Sequence, residues 1–213
     1  MSTIKLKHSG GNSVSLNPPV NAPTSSDVAF KLPVADGTAG QVLKTDGSGN
    51  LSWTTPSVSL FSSYAVIEDQ KTAGNNGGTF TSGDWRTRDL QTEIFDPDNI
   101  VSISSNQFTL QAGNYFIEAS APAYNVDRHQ AALYDITASN FHSLGTNEYA
   151  KGDAGTASRS IVIARVSISS ANVYEIRHRC QTTFATYGFG VHIGNGSWTT
   201  DNNYTYVKIF KES

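Results

Sequence analysis

Three groupings in this chain combine side-chain types that could do chemistry. Glu93, Asp96 and Asp98 gather carboxylates, and Asp127, Arg128 and His129 set an acid, a cation and an imidazole side by side. Paired carboxylates at a suitable separation hydrolyse glycosidic bonds as acid and base. His178 and Cys180, two apart, could ligate a metal through a ring nitrogen and a thiolate. Each grouping also has a purely structural reading. "EIFDPDN" reads as a strand running into an Asp-Pro turn, "VDRHQ" as the entry to the strand "AALYD", and His178 and Cys180 as packed residues on one strand face. Neither carboxylate grouping is a recognised motif, and no Ser/His/Asp, Cys/His or His-rich spacing stands out, so the chain reads as non-enzymatic. "DPDN" does not have the spacing of a calcium loop, and "TDGSGN" lacks the downstream Glu of a helix–loop–helix calcium site. Neither a metal nor a cofactor is expected.

The elements that hold these residues are strands. From about residue 58 onward, "SYAVIED", "TEIF", "NIVSIS", "QFTLQ", "NYFIEASA", "QAALYDI", "RSIVIARVSIS", "NVYEIRHRCQTTF", "FGVHIG" and "NYTYVKIF" are rich in β-branched and aromatic residues. Gly, Asn, Asp, Pro and Ser clusters separate them, and no window keeps a helical period over three turns. Many short strands spaced this way indicate an all-β sandwich, and the length suits a jelly roll.

The last strand carries more than fold class. In "NYTYVKIF", Thr205, Val207 and Ile209 share one face, while Tyr204, Tyr206 and Phe210 share the other with Lys208 among them. Both faces are mainly apolar, and an antiparallel sheet with two apolar faces needs a second cover. Another subunit supplies one. In "NVYEIRHRC" the split is cleaner: Tyr174, Ile176, His178 and Cys180 face one way, and Glu175, Arg177 and Arg179 the other.

Residues 1–57 differ in kind. Five of the seven prolines of the chain lie between Pro18 and Pro56, among Gly, Ser, Asn and Thr, with apolar residues too sparse for a sandwich. About 50 such residues reach at most about 160 to 180 Å when fully stretched. Within them, "GTAGQVLKTDGSGNLSW" signals a tight hairpin, because Asp-Gly and Gly-Asn pairs tolerate positive φ. Val42, Leu43, Leu51 and Trp53 are nearly all its apolar material, and a lone two-stranded hairpin is marginal in water, so something must cover it.

Residues 78–124, "GTFTSGDWRTRDLQTEIFDPDNIVSISSNQFTLQAGNYFIEASAPAY", resemble the front half of the jelly roll shared by complement globular heads and tumour necrosis factor. Gly113-Asn114-Tyr115-Phe116-Ile117 sits where that family has its Gly-x-Tyr strand, and "YTYVKIFKE" resembles its last strand. The resemblance spans about residues 60–213. It is closer still to distal domains of bacteriophage tail fibres and related virion proteins, in which a stalk module similar to "LPVADGTAGQVLKTDGSGNLSW" precedes such a head. The resemblance implies a homotrimer about a three-fold axis, with Tyr204, Tyr206 and Phe210 of the head and Val42, Leu43 and Trp53 of the stalk at the subunit interface. Each hairpin then packs against its two copies. It also implies a virion location, with residues 1–57 as an anchoring arm and extended stalk that contacts other virion proteins, and residues 58–213 as the head.

Composition narrows the partners. The formal charge of −3 arises from 15 basic and 18 acidic residues spread without runs, so there is no basic stripe for nucleic acid. No stretch is apolar enough to cross a membrane, no signal peptide is recognisable, and Cys180 is the only cysteine, which fits synthesis in a reducing cytoplasm. Binding is left as the function, and the exposed loops of the head are the natural contact surface. Tyr187, Phe189, Asn195 and Trp198 fall in the Gly-rich run "FATYGFGVHIGNGSWTTDNN", where aromatic rings could stack on sugars and amides could bond hydroxyls; the alternative is that these aromatics fill the core beneath. The expectation is a fibre protein recognising a host-surface receptor, a glycan or a protein. The alternative is a capsid decoration or head fibre held by its arm.

Overall fold

The computed structural model describes residues 4–7, 9–11, 13–16, 20–21, 28–56, 59–151, 153–192 and 200–213. Among them the chain forms strands and no helix: β1 (Ile4–Lys7), β2 (Ser13–Leu16), β3 (Val42–Thr45), β4 (Leu51–Thr54), β5 (Phe61–Lys71), β6 (Arg86–Thr87), β7 (Thr92–Phe95), β8 (Val101–Ser104), β9 (Gln107–Leu110), β10 (Gly113–Tyr124), β11 (Asp127–Asp135), β12 (Asn140–Ala150), β13 (Ala157–Ile168), β14 (Asn172–Cys180) and β15 (Asn202–Glu212). It divides into two compact units, Met1–Val58 and Ser59–Ser213.

The second unit is a jelly roll by its own strand order. One sheet runs β13-β10-β15-β5-β7 and the other β12-β11-β14-β9-β8, with β6 added to β14. All pairings are antiparallel, and the last strand lies between β10 and the first long strand, β5. Alternation along each strand turns one set of side chains inward. Ile67, Tyr115, Ile117, Val162, Val166, Val207 and Ile209 from one sheet meet Phe108, Leu110, Leu133, Tyr174 and Ile176 from the other, all of them buried. At the β12/β13 margin the sheets are joined by side chains: Ser143 Oγ donates to Ile163 O at 2.9 Å, and Ile161 N to Thr146 Oγ1 at 3.0 Å. That margin would otherwise be two open strand edges.

Two departures from the sequence reading have local causes. "FGVHIG" is no strand over its described residues 189–192. Gly188 and Gly190 instead press the loop onto Phe80 and Tyr204, so closely that a Cβ on Gly190 would fall 2.4 Å from the Tyr204 ring. The second departure is β12, which the sequence reading did not find. Its side chains are mostly exposed, and its pairing with β11 slips at two places, which breaks the alternation.

In the first unit, β1 pairs with β2 and β3 with β4. The β3–β4 turn is fixed by Asp46, whose Oδ1 accepts from Ser48 N at 2.8 Å and Asn50 N at 3.1 Å, with Gly47 and Gly49 at positive φ. Part of the hairpin's cover comes from its own chain. Lys31 N donates to Gly49 O at 2.8 Å, Leu51 N to Lys31 O at 2.9 Å, and Trp53 Nε1 to Ala35 O at 2.9 Å while its ring lies on Gly37. Val42 and Leu43 remain nearly half exposed.

Ile209 is fully buried between the sheets. Truncation to Ala leaves a cavity and should cost about 2 to 5 kcal/mol in denaturant unfolding, whereas Ile209→Asp buries an unpaired charge and should leave no folded head by circular dichroism.

Candidate functional site

The groupings singled out for catalysis are taken apart by the fold. Asp96 caps a turn: its Oδ1 accepts from Ile100 N and its Oδ2 from Val101 N, both at 2.9 Å. Asp98 accepts instead from Ser63 Oγ, and Glu93 is exposed on β7. Asp127, Arg128 and His129 go three ways, to Thr182 Oγ1, to Gln181 Oε1 and into the core. No group of three metal-ligating side chains gathers among the described residues.

His129 and His178 find each other rather than their sequence neighbours. Both occupy inward positions on adjacent strands, where β11 pairs with β14, and His129 Nδ1 lies 2.9 Å from His178 Nε2. His129 Nε2 lies 2.8 Å from Ser158 Oγ, and His178 Nδ1 is buried without a partner. A bare lone pair is cheaper to leave unmet than an N–H, so the assignment that fits is His178 Nε2–H donating to His129 Nδ1 and His129 Nε2–H donating to Ser158. Cys180 lies beside them, buried, with Sγ 3.3 Å from Thr182 O, and burial pushes its thiol up to about 11.

Next to the histidines sits Arg88, fully buried. Its Nε donates to Thr205 Oγ1 at 2.7 Å, Nη1 to Pro122 O at 3.2 Å and Nη2 to Phe189 O at 2.9 Å, and its guanidinium lies 4.1 Å from the Phe189 ring centroid. Burial pulls its pKa down to about 9, opposed by Asp69 and Asp89, so it is charged at neutral pH. Sequence reasoning missed both Arg88 and the histidine pair. Strand parity was the available signal for the histidines; none marked Arg88.

The loop aromatics are divided. Phe189 takes the core-filling alternative rather than the receptor-facing one: it packs on Arg88 and, at 4.3 Å between centroids, on Phe80. Tyr187 is part-exposed at 39% and lies beside Tyr124 and Phe184. Asn195 and Trp198 lie outside the described residues.

The residues assigned to a subunit interface on β15 part company as well. Two β15 residues, Tyr204 and Thr205, oppose one on β5, a bulge between the pairs Asn203↔Gln70 and Tyr206↔Glu68. Tyr204 is thereby enclosed by its own chain, with its hydroxyl donating to Asn75 O at 2.7 Å, and is not available to a neighbour. Tyr206 and Phe210 do lie on the outer face. Register sets them in rows across the sheet, Phe116–Phe210–Tyr64, then Glu118–Lys208–Val66–Phe95, then Ser120–Tyr206–Glu68. Phe210 touches Phe61 at 5.1 Å, Tyr64 stacks on Phe95 at 4.6 Å, and Lys208 Nζ pairs with Glu118 at 3.0 Å. Glu68 Oε2 is shielded there with no partner, and burial raises its pKa.

No protein-family profile and no curated protein matches the chain. Among solved structures it is similar to the globular domain of a zebrafish complement 1qA protein (10% identity, 70% of this chain, 95% of that one, TM-score 0.44). It is likewise similar to murine APRIL crystallised at pH 5.0 (9% identity, 70% of this chain, 98% of that one, TM-score 0.45).

Burial, with the Arg88 charge nearby, holds His129 at about 4 against the pull of Glu148, and holds His178 well below its ordinary value. Unfolding returns both to about 6.5, so the unfolded chain binds more protons between those limits and stability falls as pH drops from about 6.5 towards 4. His129 alone should account for about 2 to 3 kcal/mol by pH 4.5. Denaturant midpoints from pH 7.5 to 4.5 should show that slope, and the His129→Gln, His178→Gln double variant should flatten it.

Proposed function

We propose that this chain is a non-enzymatic, homotrimeric virion fibre protein whose jelly-roll head recognises a receptor on the host surface. In this reading residues 1–57 are its anchoring arm and stalk. The observation that carries the trimer is the outer face of the β13-β10-β15-β5-β7 sheet. A face left to water in an antiparallel sheet is normally polar. Here Phe61, Tyr64, Phe95, Phe116 and Phe210 form one continuous aromatic surface, and contiguous apolar surface of this kind marks a protein contact.

The occupant is a second copy of the chain. The β12/β13 margin presents Leu144 on β12, 56% exposed, and Ile163 on β13, 57% exposed, which pairs with Glu118 and so borders the same outer face, as apolar material of the same chain that needs cover. Joining a face to a margin is a heterologous contact, and three of them close a ring. Glu68 Oε2, shielded and unpaired in its own chain, is an acceptor waiting for a donor from across such a boundary. The virion setting comes from the resemblance of residues 32–53 and 60–213 to the fibre stalk and head. The non-enzymatic assignment is supported by Asp96 being spent on a turn and Asp98 on Ser63, and by both histidines being buried.

Light scattering should give three times the 22.9 kDa of the chain, and Phe210→Asp should give folded single chains, because three carboxylates would enter a desolvated boundary. A single-chain wild type at micromolar concentration would end the trimer reading. For the receptor, the full-length protein should adhere to intact cells within a panel of bacterial strains; binding to capsid shells and to no cell would make it a decoration protein instead.

A further inference from the structure

A groove of about 950 Å³ lies along β11, β12 and β14 of the six-stranded sheet, and His129, Glu148 and Cys180, of the opposite parity, also reach it besides its outer-face side chains. Register builds its floor. Tyr149 lies opposite Arg128, and Asn147 opposite Gln130, which in turn lies opposite Arg179; Gln181 follows β14 beside Arg128. Arg128 and Arg179 are thus diagonal neighbours on paired strands, about 7 to 8 Å apart at the backbone, an arrangement of like charges that is unfavourable by itself.

Neither arginine has a carboxylate partner among the described ion pairs, which take Lys71, Lys151, Arg165, Arg177 and Lys208. Both are held by neutral amides instead. Arg128 Nη1 donates to Gln181 Oε1 at 3.0 Å, and Arg179 Nη2 to Gln130 Oε1 at 3.1 Å. Gln130 is itself fixed by donating to Gly145 O at 3.0 Å, and the Arg179 guanidinium rests 4.8 Å from the Trp85 ring centroid. Two guanidiniums with oriented, un-neutralised N–H donors are a receptor for one planar anion. Glu148, the one carboxylate in the lining, has the opposite parity on β12, across from His129. Beside the arginines, Tyr149 is 55% exposed, a flat ring with a hydroxyl, and Asn147 and Gln181 are exposed amides.

We propose that this groove binds an acidic saccharide. The sugar carboxylate lies between Arg128 and Arg179, the pyranose ring lies against Tyr149, and the ring hydroxyls pair with Asn147 and Gln181. The inference deepens the receptor-recognition reading and rests on it for the biological source of the sugar, though not for the chemistry of the site.

Calorimetric titration of the full-length protein with tetragalacturonate and with neutral maltotetraose tests the site. The acidic sugar should bind at least tenfold more tightly, and binding should weaken as salt is raised. Arg128→Gln, Arg179→Gln should lose at least tenfold with melting temperature and assembly state unchanged, since each charge-assisted hydrogen bond is worth roughly tenfold or more. Arg128→Lys, Arg179→Lys keeps the charge without the planar fork and should fall between. Equal binding of the two sugars, or a double Gln variant that binds like the wild type, overturns the inference. Cell adhesion that survives the double Gln variant also overturns this site as the receptor contact while leaving receptor recognition standing. Acidic-sugar binding by a protein that adheres to no cell supports the site and ends the receptor reading alone.

Discussion

Arg88 places a guanidinium where water does not reach, and the segments around it are arranged to meet its N–H groups. A buried charge is tolerated only when it is fully hydrogen-bonded, and here the acceptors come from three separate parts of the chain: Thr205 on β15, Pro122 on β10 and Phe189 in the loop that precedes β15. The loop must therefore come close, which explains the glycines on either side of Phe189, Gly188 against Phe80 and Gly190 at φ +134° against Tyr204. The bulge in β15 follows the same demand. It encloses two successive residues, so that Thr205 can accept from Arg88 while Tyr204 reaches Asn75. The neutral state of the paired histidines follows first from their burial and then from the fixed cation beside them, which opposes a second charge.

Strand order sets the last strand, β15, in the middle of its sheet. β15 fills the gap between β10 and β5, so the five-stranded sheet is continuous only once the final residues of the chain are in place. Such pairings of distant segments carry a large loop-closure cost before they return any burial, which places this head among slow-folding topologies. Until β15 docks, the inner faces of β5 and β10 and the acceptors for Arg88 are incomplete together, which ties core packing and the buried charge into one cooperative event.

How much of this was legible in the sequence depends on where each residue's environment is decided. The β15 faces around Val207 and Ile209 were readable because alternation is local, and so was the Asp46 turn, whose hydrogen bonds span four residues. β12 was not readable, because an edge strand with few apolar residues and two register slips has no period to detect. Tyr204 went wrong through a bulge whose cause lies far off in sequence, and which of its two readings Phe189 takes is decided by Arg88, 101 residues away. The carboxylates Glu93, Asp96 and Asp98 are neighbours in sequence only, whereas a strand sends neighbours to opposite faces. The same rule brought together His129 and His178, 49 apart.

The two outer faces of the sandwich differ for a physical reason that separates structural cations from available ones. On the six-stranded sheet, Arg177 lies 3.3 Å from the Tyr134 ring centroid and pairs with Glu175 at 2.6 Å, and Glu175 also accepts from Thr87. Its charge is neutralised and its plane is covered, so it serves packing. Arg128 and Arg179, a few ångströms along the same face, are held by amide oxygens that orient a guanidinium without cancelling its charge. On the five-stranded sheet the cation Lys208 is likewise neutralised, by Glu118, and is flanked by rows of aromatic rings. A surface whose cation is paired off, whose Glu68 is shielded without a partner and whose remainder is largely aromatic gains by excluding water, which suits contact with another copy. A surface whose charges are left unpaired and oriented loses little by staying wet and gains only from an anion. The inner faces being committed to the core, these outer faces are where one sandwich can carry both properties without either compromising the fold.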